Sequence, residues 1–271
     1  MSIIPEGYIN SVVSLGMRTP DGEKWIGTGF FVIRFAGSEQ KEAFPMLVTN
    51  KHVVNNRDTI ILRMRKQKDN TLVTLDVALI QDGQKIYWEH PETNIDIAVI
   101  PLNGQYINEQ GLVFYAFDID NNTLSSEELR QNGVDEGALI YMLGYPLGLV
   151  NIHSATPVCR LGCIARISAS QIEETKNFLI DIQNFPGNSG SPIISRPEFI
   201  AIQNTKSFDK SVLIGIVHSY IPYQETLINT QTNQIVEVRS ENSGIALVHP
   251  VEYIKELIDT YISRQSNNID S

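Results

Sequence analysis

Ser189 lies in the stretch Phe185-Pro186-Gly187-Asn188-Ser189-Gly190-Ser191-Pro192, between the apolar runs NFLIDI (Asn177 to Ile182) and Ile193-Ile194. Two strands joined by so tight a loop would present the serine at its tip. Gly187 and Gly190 can take backbone angles closed to other residues, which lets a second backbone or a substrate come close. Amides converging near Ser189 would suit the negative oxygen that develops in acyl transfer. A glycine-rich hairpin turn has the same composition, so the octapeptide alone does not decide between turn and nucleophile.

A serine hydroxyl is a poor nucleophile unless a base takes its proton, and an imidazole is a poor base unless a carboxylate holds its tautomer and stabilises its cation. The chain supplies both residue types at the ends of apolar runs. Leu47-Val48-Thr49-Asn50-Lys51-His52-Val53-Val54 brings one run to a histidine, and Asn94-Ile95-Asp96-Ile97-Ala98-Val99-Ile100 opens another with an aspartate.

The elements that must position these residues read as strands. Ile9 to Gly16, Ile26 to Arg34, Phe44 to Thr49, Asp58 to Arg65, Thr71 to Ile80 and Ile95 to Leu102 form a first series separated by turn material. Ala138 to Leu143, Ala155 to Ser168, Asn177 to Ile182, Pro192 to Ser195, Ser211 to Tyr220 and Gly244 to Val248 form a second. Six short strands in each half favour antiparallel barrels or sandwiches over alternating β-α units. The polar text from Phe117 to Asn132 reads as a linker with one helical turn capped by Ser125 or Ser126, dividing the chain into 1–118, a linker over 119–134, and 135–271. Pro222 to Asn242 is a long polar excursion, read as a hairpin through Val236 and Val238. Val251, Ile254, Leu257, Ile258, Tyr261 and Ile262 repeat at helical spacing after Pro250, predicting a terminal helix with a frayed polar tail from Ser263.

Bulk properties bound the function. A length of 271 residues can bury a large core, and a net charge of -10 argues against nucleic acid or an anionic membrane as the main partner. Gly27-Thr28-Gly29 is not followed by the Gly-Lys-Ser/Thr of a phosphate loop, which excludes nucleotide binding on that motif. Cys159 and Cys163, four apart on one predicted strand, would sit ~13 Å apart against the ~7 Å a disulfide tolerates. Reduced cysteines, no apolar run of membrane length and an N-terminus without a basic, apolar leader set the expectation of a cytoplasmic protein. Neither a metal nor a cofactor is expected.

Taken together, GTGFFV at Gly27 to Val32, LVTNKHVV around His52, NIDIAVIPL around Asp96 and FPGNSGSP around Ser189 closely resemble the chymotrypsin-like (trypsin-like) serine peptidases. Met142-Leu143-Gly144-Tyr145-Pro146-Leu147-Gly148 is similar to a segment of bacterial HtrA-type members, and Leu213-Ile214-Gly215-Ile216 to the strand after the serine loop. The resemblance covers the chain from about Ile9 to the final helix. It implies an all-β fold of two antiparallel six-stranded β-barrels with a C-terminal α-helix, and a serine endopeptidase acting through an acyl-enzyme. It implies His52 as general base, Asp96 as its orienter, Ser189 as nucleophile, and the amides of Gly187 and Ser189 as oxyanion hole. Asn188 stands where members matured by cleavage carry an aspartate, which argues against that kind of activation. Motif alignment places Gln183 at the base of the specificity pocket, where trypsins keep an acid, so the pocket is expected to be uncharged. His218 is expected on the pocket wall as a candidate reader of a glutamate side chain, although its register is one residue off, which flips a strand face.

The expected partners are a protein or peptide substrate and a separate regulatory protein. The alternative is a non-catalytic member binding an extended peptide in the cleft by strand addition. An α/β-hydrolase esterase is disfavoured by the chain order His, Asp, Ser and by a serine turn that leads into a strand rather than a helix.

Overall fold

The computed structural model describes residues 3–36, 42–149 and 155–269. A short helix α1 (Glu6–Asn10) stands where a strand from Ile9 is expected, and the Ser11 hydroxyl donates back to Tyr8 O at 2.8 Å. Then come β1 (Val12–Thr19), β2 (Gly22–Ala36), β3 (Glu42–Thr49), the single-turn helix α2 (Lys51–Val54), β4 (Thr59–Arg65) and β5 (Leu72–Ala78). Three two-residue strands, β6 (Ile80–Gln81), β7 (Gln84–Lys85) and β8 (Trp88–Glu89), lead to β9 (Ala98–Pro101), helix α3 (Gly104–Glu109) and β10 (Phe117–Asp118).

These strands do not make the expected six-stranded barrel. They form an eight-stranded sheet in the order β5-β4-β1-β2-β3-β9-β8, with β10 added parallel to β2. Closure would require β5 to meet the other edge. The intervening chain instead folds β6 and β7 into a separate ribbon around Asp82 and Gly83, both at positive φ, and leaves β8 with two residues. So short a strand offers almost no ladder to a partner.

The second half runs through α4 (Ser126–Gln131), β11 (Leu139–Gly144), a 3-10 turn at Pro146–Gly148, β12 (Val158–Arg166), α5 (Ala169–Thr175) and β13 (Phe178–Asp181). It ends with β14 (Pro192–Ser195), β15 (Leu213–Asn229), β16 (Gln234–Pro250) and α6 (Val251–Ile269). Here the expected six-stranded barrel is present and closed, in the order β11-β12-β13-β16-β15-β14. Cys159 and Cys163 both lie on β12 and both are free.

Next to β10, the stretch read as a linker over 119–134 makes contacts of its own: Thr123 bridges to Leu213 in the barrel, and Ser125 caps α4 in a reciprocal capping box with Glu128. The excursion after Tyr220 is regular, because β15 and β16 stay paired out to Asn229 and Gln234, with Val236 and Val238 on the ribbon. Helix α6 continues past the predicted fraying point to Ile269 and buries Val251, Ile254, Leu257 and Ile258. Its Tyr261 ring lies 5.8 Å from Trp88 of β8, so the helix covers the open sheet as well as the barrel.

One buried cluster runs from Phe30, Val48 and Val99 of the sheet into Ile140, Ile193 and Val248 of the barrel. A second, around Leu15, Leu47 and Leu62, fills the other face of the sheet. The alternating burial of two-sided strands accounts for both.

Candidate active site

His52 sits on α2, directly after β3, and Asp96 lies in the coil before β9. Asp96 precedes the strand because its backbone groups are taken by side chains. Its N–H donates to Nε2 of His249 at 2.9 Å, and its C=O accepts from Nδ2 of Asn50 at 2.7 Å. The carboxylate then has one oxygen for each nitrogen of the histidine residue. Oδ1 accepts the backbone N–H of His52 at 3.1 Å, and Oδ2 lies 2.5 Å from ring Nδ1. Burial works to raise the Asp96 pKa, but the hydrogen bonds and charge of His52 outweigh it and hold the carboxyl below its ordinary value. The His52 side chain is half exposed, and its Nε2 makes no hydrogen bond among the described residues.

The Ser189 turn is held by Thr28 of the GTGFFV stretch. The Thr28 N–H donates to Ser189 O at 2.8 Å, its hydroxyl donates to Gly187 O at 2.7 Å, and that hydroxyl accepts from the N–H of Tyr145 at 3.0 Å. Gly190, at φ 88°, has no room for a side chain, since a Cβ would collide with Thr28 O and lie 2.6 Å from Thr49 Oγ1. Gly27 lies between the two machineries: a Cβ there would meet Val53, the neighbour of His52, at 2.8 Å and Ser189 O at 3.4 Å.

The amides of Asn188 and Ser191 are used within the turn, donating to Phe185 O and Asn188 O, and that of Gly190 donates to Val217 O of β15. Those of Gly187 and Ser189 donate to no acceptor among the described residues. The Leu147 N–H donates to Pro186 O at 2.6 Å, and in a trans peptide that turns the Gly187 N–H the opposite way. The Ser189 hydroxyl itself makes no hydrogen bond among the described residues, so a bond to His52 is not formed in this state. Such contacts often tighten only when substrate binds.

Gln183 is exposed between β13 and the serine turn. His218 does not offer its N–H to a pocket. Asn177 donates from Nδ2 to Thr175 O, which turns Oδ1 toward His218, so Nε2–H of His218 donates to it at 2.8 Å. The His218 ring stacks on His249, 4.1 Å between centroids and 8° from parallel. His218 stands unpaired at the register shift between Val217 and Ser219 of β15, and its ring turns toward Asn177 and His249.

His249 is fully buried and neutral by its bonding pattern. Nδ1 donates to Lys176 O at 2.9 Å, leaving Nε2 as the acceptor for Asp96. Burial pushes His218 down to about 3, with repulsion from His249 once that ring is protonated adding to the effect, and pushes His249 down to about 4 against the favourable carbonyl of Lys176. Both groups bind a proton more readily unfolded than folded. The stability they contribute is therefore complete above the ordinary pKa of ~6.5 and is lost as pH falls through about 4 and about 3. For His249 the loss is on the order of 3 kcal/mol. Urea midpoints measured from pH 7 to pH 4 should fall, and the fall should flatten in His249→Gln. An identical slope in that variant would remove His249 from the account.

Asn50, Thr28, Leu147 and His249 are the site residues that sequence reading missed. Asn50 and Thr28 lie inside motifs quoted for their neighbours, whereas His249 shows only as a polar residue closing an apolar run before Pro250.

No curated protein matches this chain. Among solved structures it is similar to the HtrA-type protease AlgW with a decapeptide, at 15% identity and a TM-score of 0.51, covering 94% of this chain. It spans 65% of that protein's length. It is also similar to the apo protease domain of MamO from Magnetospirillum magneticum, at 12% identity and a TM-score of 0.47, over 93% of this chain and 97% of that one. At such identities the likeness to AlgW is one of fold. The sequence match is more telling: the trypsin-like peptidase domain family matches residues 27–202, well over half the chain and spanning His52, Asp96 and Ser189, and the protein belongs to that family.

Proposed function

We propose that the protein is a serine endopeptidase in which Ser189 attacks the carbonyl carbon of a peptide bond. His52 takes the hydroxyl proton on Nε2 as the C–O bond forms, and Asp96 stabilises the resulting imidazolium through Nδ1. The carbonyl oxygen gains the electron pair and is received by the amides of Gly187 and Ser189. Collapse of the tetrahedral adduct expels the amine, which takes the proton from His52 and leaves an ester on Ser189. Water, deprotonated by His52, then attacks the ester carbonyl, and His52 returns the proton to the departing Ser189 oxygen, which releases the acid and restores the serine. The observation that carries this reading is the contact of 2.5 Å between His52 Nδ1 and Asp96 Oδ2, which fixes the proton on Nδ1 and leaves Nε2 of a half-exposed ring as the base.

In this reading His52 and Asp96 belong to an N-terminal unit over 1–118 and Ser189 to a C-terminal one over 135–271, with the substrate between them. The specificity pocket is taken as uncharged, with Gln183 placed at its base by motif alignment.

A fluorophosphonate probe tests the proposal. It should esterify Ser189, identified by peptide mass, and labelling should vanish in Ser189→Ala and fall steeply in His52→Ala. A folded wild-type protein that takes up no probe would overturn the endopeptidase reading.

A further inference from the structure

We propose that His249 is a positioning residue that holds Asp96 in place from the far side of the site, locking the acid of the sheet to the barrel. The proposal rests on the role given to Asp96 above. His249 is the penultimate residue of β16, and its two ring nitrogens hold two separate segments at once, the Asp96 N–H at 2.9 Å and the Lys176 carbonyl at 2.9 Å. Lys176 is the left-handed residue that closes α5, at φ 60°, so its carbonyl is a fixed point at a helix end. With Asn50 on the Asp96 carbonyl, the peptide groups on both sides of the residue are gripped, and the carboxylate is left free to serve His52. Asp96 makes no ladder bond of its own, so nothing in β-structure would replace these two side chains.

The surroundings keep the ring in this role. His218 covers one face at 4.1 Å, and Tyr253 of α6 meets it edge-on at 6.5 Å. The charges that reach it are Asp96, His90, Lys51 and His218. A proton on Nε2 would set an N–H against the Asp96 N–H, so the lock works only with the neutral ring.

Three variants of the full chain test the assignment at pH 7. Glutamine can bring its side-chain oxygen to the place of Nε2 and accept from Asp96. Asparagine reaches only the place of Nδ1, and phenylalanine keeps the stack while offering no acceptor. His249→Asn and His249→Phe should lose ~10- to 100-fold in kcat with KM within ~2-fold of wild type, since a small misplacement of the acid acts on chemistry and not on binding. His249→Gln should recover kcat to within ~3-fold. The downfield proton resonance of His52 Nδ1–H should persist in His249→Gln and shift or broaden in His249→Asn. Equal losses in the glutamine and asparagine variants, matched by equal drops in melting temperature, would make His249 a packing residue and overturn the proposal. If wild type shows neither turnover nor fluorophosphonate labelling, the protease reading fails by itself. The resonance then still decides the role of His249, because it reports the His52–Asp96 contact whether or not Ser189 reacts. An undisturbed resonance in all three variants overturns it.

Discussion

Ser189→Ala should lower kcat on a peptide substrate by on the order of a million-fold while leaving the fold intact. The size of the loss follows from what the hydroxyl does. In the proposed mechanism no acyl-enzyme can form without it, and the amides of Gly187 and Ser189 and His52 would be left to assist a water that nothing holds in place. The small structural effect follows from the site. The Ser189 hydroxyl has no hydrogen bond among the described residues, the side chain is only partly buried, and the turn is held by its backbone through Thr28 and Val217. Removing one oxygen there should change stability by less than ~0.5 kcal/mol. His52→Ala should be nearly as damaging, and Ser189→Ala/His52→Ala scarcely worse than either, since the groups act as one unit. Turnover is followed with a peptide library and folding by thermal melting. Activity retained in Ser189→Ala would place the nucleophile elsewhere, and joint loss of activity and fold would make Ser189 structural.

The parts of the site legible in sequence are those that a short motif determines locally. FPGNSGSP specifies its turn because Gly187 and Gly190 sit at φ 98° and 88°, where a side chain would strike the backbone of Tyr145 or Thr28. The apolar run into His52 specifies β3 and the single turn after it through burial of Leu47, Val48, Val53 and Val54. What sequence reading missed depends on pairings distant along the chain. Ile95 to Ile97 reads as strand and is as buried as one, yet its ladder is displaced by Asn50 and His249, which lie 46 and 153 residues from Asp96. Whether six strands close into a barrel turns on which edges meet, and the two-residue β8 decides that for the first half. Helix α5 escaped detection because ASQIEET buries only Ile172, too little to show a period. His218 shows the cost of a single position, since its type suits a pocket and its register turns it toward Asn177.

Asp96→Asn should cost ~10,000-fold in kcat with little change in melting temperature. The two oxygens of Asp96 face two donors, the His52 backbone N–H and the ring Nδ1–H. An asparagine has one acceptor and one donor to put in their places. The backbone N–H cannot turn away, so the amide oxygen must stay with it, and the NH2 group is left facing Nδ1. That nitrogen can meet an N–H only as an acceptor, which moves the ring proton to Nε2, the position that the proposed mechanism needs free to receive the proton of Ser189. The opposite flip sets the NH2 group against the backbone N–H and is disfavoured by the loss of that bond. Position should be kept, because Asn50 and His249 hold the residue by its backbone and do not use the carboxylate. Asp76, the other acid that could be considered for the role, is engaged by Arg18 through two hydrogen bonds of 2.8 Å across β1 and β5 and cannot substitute. Steady-state kinetics give the size of the loss, and 15N resonances of His52 give the tautomer. A loss of less than ~10-fold, or a ring that keeps its proton on Nδ1 in Asp96→Asn, would show that the carboxylate does not set the state of the base.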